Sequence, residues 1–226
     1  MILGELMTHL RCAVLRDSAL PQLWTDTELL RYLNEAVDLF ARRTHCITDD
    51  ESLFTTFNTV VGQSTYALDK RIIAIDEMGV VLDPETDTAS YHPMSSNTRG
   101  QQHTSFRKGR PCAYTIQTRS NAARLWPVPD DVYKVVMVVA RKPLNKLVNS
   151  KDIPEIDEDY HLGLCDYAAW RALTNNDPEG ANMAAADKFF GAWSLMVRDA
   201  KRDLRRMRAG QFPQARDNWT GKRARF

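Results

Sequence analysis

Helix-like apolar spacing at both ends of the chain, with strand-like composition between them, limits the folds that this sequence can adopt. Residues 2–16 and 26–45 carry apolar side chains at steps of three and four, as one face of a helix requires. The same spacing returns from Ile156 to the NNDPEG turn, and again from about Glu179 to Gly210, where glycine predicts the helix stop. The sequence therefore predicts four helices, two towards each end.

The second predicted helix has the clearest start signal. Thr25 is followed three residues later by Glu28, which is the spacing of a capping box. A helix over residues 26–45 would be about 30 Å long.

Residues 49–150 have a different composition. Segments rich in Thr, Val, Ile and Phe alternate with turn formers, which predicts five or six strands. The stretches 112–118 and 123–129, joined by the polar residues RSNA, predict a hairpin. Residues 83–111 have little periodicity, and we expect a long exposed loop there, with room for one short strand.

Six consecutive apolar residues, Val135 to Ala140, form the longest apolar run of the chain. A half-exposed strand alternates apolar with polar residues, because successive side chains point to opposite faces. A strand that is apolar on both faces needs cover on both. We expect the β core to cover one face, and a neighbouring subunit or the helices to cover the other.

Together these patterns predict an α+β fold. Helices from both chain ends would pack into one bundle, built from residues 1–48 and 151–209, because each has an apolar face to bury. An antiparallel β domain would be inserted at residues 49–150. Residues 210–226 lack periodicity and predict an extended C-terminal tail.

Charge is distributed unevenly along the chain. The formal net charge is +1, yet residues 197–226 contain ten Lys or Arg against three Asp. The last predicted helix carries a basic face, made of Lys201, Arg202, Arg205, Arg206 and Arg208. Three interpretations remain open: a solvated helix end favoured by the helix dipole, docking on an acidic protein surface, or contact with DNA phosphates.

Signals for membranes, export and disulfides are weak. No apolar run approaches the ~20 residues that span a bilayer, and no basic stretch precedes an apolar one at the N-terminus. Four scattered cysteines show no zinc-like spacing, so we expect reduced thiols in a reducing cytoplasm. We expect no membrane partner.

Catalytic and metal-binding motifs are sparse. His161 and Cys165 are four residues apart on a predicted helix, but two ligands are too few for a metal site. The acidic residues 157–159 are explained by the positive end of the helix that follows them. No GxSxG, GxxxxGK[ST] or GxGxxG motif is present. We expect no cofactor and no enzyme, although a hydrolase site built from Asp130, Asp157, Asp159 and His161 is one rival.

Four stretches resemble the head-to-tail adaptor, or connector, proteins of tailed bacteriophages. They are Trp24 with TDTELLRYLNEAV, then TVVGQSTYALDKRIIAI, then GRPCAYTI followed by LWPVPDDVYKVVMVVARKP, and finally IPEIDEDYHLGLCDYAAWRAL. Together they cover most of residues 23–173, and their order is more specific than any one of them. Residues 83–111 and the tail depart from the pattern.

The resemblance implies a structural role in the neck of the virion, for a protein made in the host cytoplasm. Such proteins form a ring, usually of twelve copies, beneath the portal. The ring extends the DNA channel and gives the tail an attachment site. The implied partners are the portal ring, identical subunits, a downstream tail or stopper (nozzle) protein, and DNA that slides through without sequence specificity.

The side chains themselves indicate which residues would make these contacts. Aromatic and basic tail residues would bind the portal: Phe212, Arg216, Trp219, Lys222, Arg223, Arg225 and Phe226. Apolar residues of the last strand and last helix would form the subunit interface: Val136, Val138, Phe190 and Trp193. The basic face would meet portal or DNA, and loop 83–111 would face the tail or gate the channel. The alternative function is a nucleic-acid-binding protein that uses the basic helix and tail.

Overall fold

The computed structural model describes residues 1–82, 90–96, 107–176 and 183–211. Its helices are α1 (Leu3–His9), α2 (Asp26–Thr44), α3 (His161–Asn176) and α4 (Met183–Gln211). A π-helical turn, Leu10–Val14, continues α1, and 3-10 turns occur at Leu53–Thr55 and Glu158–Tyr160.

The strands all lie between α2 and α3. They are β1 (Thr48–Asp49), β2 (Thr56–Asn58), β3 (Thr65–Ala67), β4 (Ile72–Leu82), β5 (Ser90–Pro93), β6 (Ser95–Ser96), β7 (Ala113–Gln117), β8 (Ala122–Trp126) and β9 (Lys134–Arg141). Helices from both chain ends and strands in the middle confirm the α+β prediction.

Helix α3 is the centre of the helical part. It packs against α1, α2 and α4. Its buried residues cover most of its circumference and include Leu164, Cys165 and Ala168, none of which exposes any surface, while Leu162 is 52% exposed. Gly163 allows α4 to come close, because a Cβ there would lie 1.9 Å from Met196 Sδ. The close packing of α4 on α3 therefore depends on the absence of a side chain at position 163.

Helix α2 begins and ends as its sequence dictates. The Thr25 side chain accepts a hydrogen bond from the Glu28 backbone N–H, and the Glu28 carboxylate accepts one from the Thr25 N–H. This hydrogen bond to Thr25 lowers the pKa of the Glu28 carboxyl. At the other end, His45 adopts the left-handed conformation with φ of 58° and stops the helix.

The strands form two sheets. The first has the order β1-β9-β4-β5, with β2 also pairing with β9, and the second has the order β3-β8-β7-β6. The pairs are antiparallel, as predicted for the insertion, except β6–β7 at the edge of the second sheet, which is parallel. The predicted loop 83–111 contains β5 and β6, one strand more than expected.

The two sheets pack face to face over a second hydrophobic core. Val135, Met137 and Val139 of β9 point into it and are at most 3% exposed. Tyr114 and Leu125 approach from the second sheet. One face of the apolar strand is thus covered by the β core, while Val136 and Val138 lie on the opposite face and are half-buried.

The two parts meet where α2 ends. Thr48 of β1 pairs with Ala140 of β9, so the chain enters and leaves the β part side by side. The Arg141 guanidinium donates to Asp49 and, over 2.7 Å, to Glu155 of the segment leading back to the helices. A partly buried ion-pair network therefore fixes the junction.

Two helix ends differ from their predictions. The first helix was expected to be regular over residues 2–16, but its second half is a π turn that allows the Leu15 N–H to bond to the Leu10 carbonyl. Helix α4 passes through Gly210, so this glycine is not a stop signal. The expected start near Glu179 lies outside the described residues, and α4 is described from Met183.

Candidate assembly surfaces

The predicted basic face is exposed on the last turns of α4. Arg198 joins Lys201, Arg202, Arg205 and Arg206 around a hollow of about 410 Å³. They lie on one side because residues three and four apart share a helix face.

This face is only partly neutralised within the subunit. Arg202 forms an ion pair of 3.2 Å with Asp199, and Arg206 one of 3.7 Å with Asp203. Lys201 and Arg205 have no ion pair within the part of the chain that the structure describes. The face therefore keeps a strong positive charge that a negatively charged partner can meet.

Arg208 was predicted as part of the same face, but it points the other way. Its guanidinium donates over 2.8 Å to the His45 carbonyl and lies 3.2 Å from an Asp76 carboxylate oxygen. Arg208 holds the end of α4 against the β part, and we exclude it from the exposed basic face.

Two predicted interface residues on α4 belong to an aromatic cluster inside the helical part. Trp193 is fully buried and lies 5.0 Å, centroid to centroid, from Tyr167. Phe190 is half-buried and contacts Trp170 with centroids 4.7 Å apart. The assignment of Trp193 to a subunit interface is wrong for this conformation, because its own subunit covers it completely.

The outer face of the first sheet, made of Val136, Val138, Glu77, Gly79 and Tyr91, is a different kind of surface. Val136 pairs with Gly79, and Val138 with Glu77. The Tyr91 ring lies across Gly79, where a Cβ would be 2.3 Å from the ring. Burial and a hydrogen bond to Glu77 raise the pKa of the Tyr91 hydroxyl. Tyr91 itself remains 43% exposed, so this face is apolar but not closed.

The far end of the β part carries exposed aliphatic residues that the sequence reasoning missed. Val60, Val61 and Val132 expose 54%, 56% and 60% of their surface. The available signal was the pair Val60-Val61 directly before Gly62, since an apolar pair at a turn has no strand face on which to be buried. We refer to these three residues as the valine tip.

The predicted portal-binding tail residues and much of loop 83–111 lie outside the described residues. The tail residues are Phe212, Arg216, Trp219, Lys222, Arg223, Arg225 and Phe226. Of the loop, residues 90–96 and 107–111 are described, and Lys108 pairs with Val128 beside the second sheet.

His161 and Cys165 use their polar atoms in structural hydrogen bonds. His161 is buried, with Nε2 at 3.0 Å from the Ile156 carbonyl and Nδ1 at 3.1 Å from the Met1 amine. The Cys165 thiol donates to the Leu6 carbonyl, and burial raises its pKa to about 12. Both polar groups are thus already used in contacts within the subunit.

The four residues of the rival hydrolase site are not brought together. Asp157 caps the 3-10 turn before α3, where it accepts from the Asp159 N–H, and His161 follows in α3. Asp130 binds the Tyr133 hydroxyl at the far end of the β part. Within the described residues, no cluster of three or more His, Cys, Asp or Glu could hold a metal ion.

Two further grooves border α2. One, of about 570 Å³, lies against the segment 142–155 and includes Arg31, Arg71 and Lys142. The other, of about 550 Å³, lies between α1 and the start of α2.

Among the helices described, none combines the length and the apolar character needed to cross a membrane.

Comparison with known proteins gives one family. A search of curated proteins finds no match to this chain. The model of the SU10 adaptor protein family matches residues 1–217, which include both the helical and the β part. By this match over nearly its whole length, the chain belongs to the SU10 adaptor protein family.

Proposed function

We propose that this phage adaptor works at the junction of head and tail. In this proposal, copies of the chain, twelve by analogy with similar adaptors, form a ring under the portal. The ring extends the DNA channel and offers the tail an attachment site. The family match over residues 1–217 is the observation that carries the proposal.

The exposed basic face of α4 supports attachment to the portal. Lys201 and Arg205 have no ion pair among the described residues, and residues 212–226 continue directly from this helix with further basic and aromatic side chains. Fifteen residues can extend up to about 50 Å, which is enough to follow a neighbouring protein surface. An acidic portal surface would complement this charge.

The outer face of the first sheet supports contact between subunits. Val136, Val138 and the exposed Tyr91 form an apolar strip that one subunit leaves open. In a ring, each subunit presents two different side surfaces, and covering an apolar strip with a neighbour contributes free energy.

Contact with DNA is the second candidate role for the basic face, because its uncompensated charges match phosphate groups. Binding through phosphates alone carries no sequence information. Tight phosphate binding would oppose the movement of DNA through a channel, so a weak and salt-sensitive contact fits the proposal better.

Mixing the purified chain with purified portal rings tests the proposal. A symmetric complex of fixed stoichiometry, seen by native mass spectrometry and cryo-electron microscopy, is expected. The double variant Lys201→Glu/Arg205→Glu should weaken portal binding at least about tenfold if the basic face docks there. Lys188→Glu, an exposed lysine earlier on the same helix, is the matched control and should bind normally.

Two results separate the alternatives. If the double variant binds the portal normally but loses a salt-dependent affinity for DNA in a gel-shift assay, the basic face serves DNA. If the unmodified chain forms no complex with portal rings at all, the proposed function fails.

A further inference from the structure

The valine tip is an exposed apolar surface on a rigid support. Its residues come from two neighbouring segments, 59–63 and 129–133. These are joined by hydrogen bonds from the Thr59 N–H to the Tyr133 carbonyl, and from the Gly62 N–H to the Pro129 carbonyl, both 2.9 Å long. The Thr59 hydroxyl donates to the Asp131 carbonyl and accepts from the Tyr133 N–H. The tip is therefore fixed before any partner arrives.

Tyr66 anchors the tip from below. Its ring is buried and stacks on Phe57, with centroids 4.9 Å apart. Its hydroxyl donates to the Gln63 carbonyl and accepts from the Val60 N–H at 3.0 Å. A surface held in one conformation loses little entropy on binding, which favours tight association.

Charged side chains flank the tip on the side of Val132. Asp130 and Asp131 are exposed and directly precede Val132. Arg110 lies close enough to Tyr133 to influence the pKa of its hydroxyl, which the hydrogen bond to Asp130 raises. An apolar centre with a charged rim is the usual anatomy of a protein–protein interface.

The tip lies at the end of the β part that is remote from the helices. Strand β9 begins beside it at Lys134 and ends at Arg141, whose N–H bonds to the Ile47 carbonyl just after α2. Eight residues of strand span about 23 Å. The tip thus lies beyond the start of β9, whereas the end of α4 meets the first sheet at Asp76, level with Val138 and Val139.

We propose that the valine tip docks the next structural protein of the virion, on the side away from the portal. This inference rests on the proposed function and specifies its downstream contact. The partner presents an apolar recess for Val60, Val61 and Val132, with lysine or arginine side chains facing Asp130 and Asp131.

A second copy of this chain fits the tip less well. A two-fold contact places the same patch on both sides, so two copies each of Asp130 and Asp131 would bring four carboxylates into one small contact. Like charges at an interface oppose binding.

The test uses the phage that encodes the chain, with the variant Val60→Asp/Val132→Asp in place of the natural protein. Both side chains are more than half exposed, so the fold should persist and the melting temperature should stay near that of the natural protein. Filled heads should carry the adaptor but lack tails, with tailed particles reduced at least about tenfold, as expected for loss of a central interface contact. Electron microscopy counts the tails, and immunoblotting of purified heads measures the adaptor.

Val148→Asp is the matched control. Val148 is 67% exposed, but it lies in the segment that joins β9 to α3, far along the chain from the tip. This variant should produce tailed particles at the natural frequency.

Three results overturn the inference. Normal numbers of tailed particles from the tip variant would show that the valines are not needed for docking. Tailless heads that also lack the variant adaptor would assign the tip to portal or ring contacts. If the natural chain itself is absent from virions, the proposed function fails, and this inference fails with it.

Discussion

The helical part and the β part of this chain bury their apolar residues to different extents. The helical part packs α3 against α1, α2 and α4 and places even Trp193 out of contact with solvent. The β part buries one face of its first sheet and leaves both the outer face and the valine tip open to solvent. The helical part thus contributes an enclosed apolar core and an exposed basic face, while the β part contributes apolar contact surfaces.

The largest expected effect follows from emptying the helical core. Trp193→Ala should destabilise the protein by about 3–5 kcal/mol, because a fully buried large aromatic side chain leaves a cavity. The midpoint of urea unfolding measures this loss. Trp193→Phe should cost much less, since the buried indole N–H has no hydrogen-bond partner among the described residues.

If the two parts differ in this way, truncating a side chain on the outer face of the first sheet should cost little folding stability. Val138→Ala, on the half-buried side of β9, should cost about 1 kcal/mol or less. A loss as large as that of Trp193→Ala would show that the outer face is also part of the folding core, and the two parts would not differ in this way.

The next effect concerns the ion pair at the junction of the two parts. Burial alone raises the pKa of the Asp49 carboxyl, but hydrogen bonds from Ser52, Arg141 and the Glu51 N–H outweigh it and lower the net pKa. Asp49→Asn should destabilise the protein by about 2 kcal/mol at neutral pH, because Arg141 then keeps Glu155 as its only carboxylate partner among the described residues.

This effect depends on pH in a defined direction. A folded-state pKa below the unfolded value, about 3.9 for Asp, stabilises the protein above that pH, and the stabilisation is lost as pH falls further. Urea unfolding between pH 6 and pH 3 should therefore show the natural protein losing more stability than Asp49→Asn. Parallel curves for the two proteins would contradict the role given to this ion pair.

A smaller effect is expected on the outer sheet face. Gly79→Ala places a Cβ within 2.3 Å of the Tyr91 ring, so the ring must move away and its hydrogen bond to Glu77 is strained. We expect a loss of about 1–2 kcal/mol and an increase in the exposure of Tyr91. Tyrosine fluorescence quenching by iodide, with and without the substitution, measures the change. An unchanged stability would mean that Tyr91 does not pack on this face.

The smallest predicted effect is a gain. Gly191 is an exposed glycine within α4, and a Cβ there would meet nothing within 4 Å. Gly191→Ala should stabilise the subunit by about 0.5–1 kcal/mol through better helix propensity. Thermal unfolding of the subunit alone measures this gain. A loss instead would show that the glycine is needed within the subunit.

The sequence predicted the fold where local patterns agree with tertiary structure. The capping box at Thr25 located the start of α2 correctly, and the composition of residues 112–129 predicted the β7–β8 hairpin. It could not predict the parallel β6–β7 pair, because two-residue strands carry no periodic signal. Gly210 was misread as a stop because helix propensity is a weak constraint near a helix end.

The candidate surfaces were predicted less well, since exposure depends on tertiary contacts. The charge of the α4 basic face was visible in the sequence, but the turning of Arg208 towards Asp76 was not. Trp193 and Val138 have similar apolar character in the sequence, yet one is fully enclosed and the other half-open. The valine tip consists of two segments about seventy residues apart in the chain, which only the fold brings together.

The pairing of Thr48 with Ala140 has an evolutionary consequence. The chain enters and leaves the β part on neighbouring strands. The residues between these two strands can therefore be lengthened, shortened or exchanged without changing the path of the chain through the helical bundle. A lineage of such proteins could thus retain its helical bundle and acquire new contact surfaces by replacing a single module.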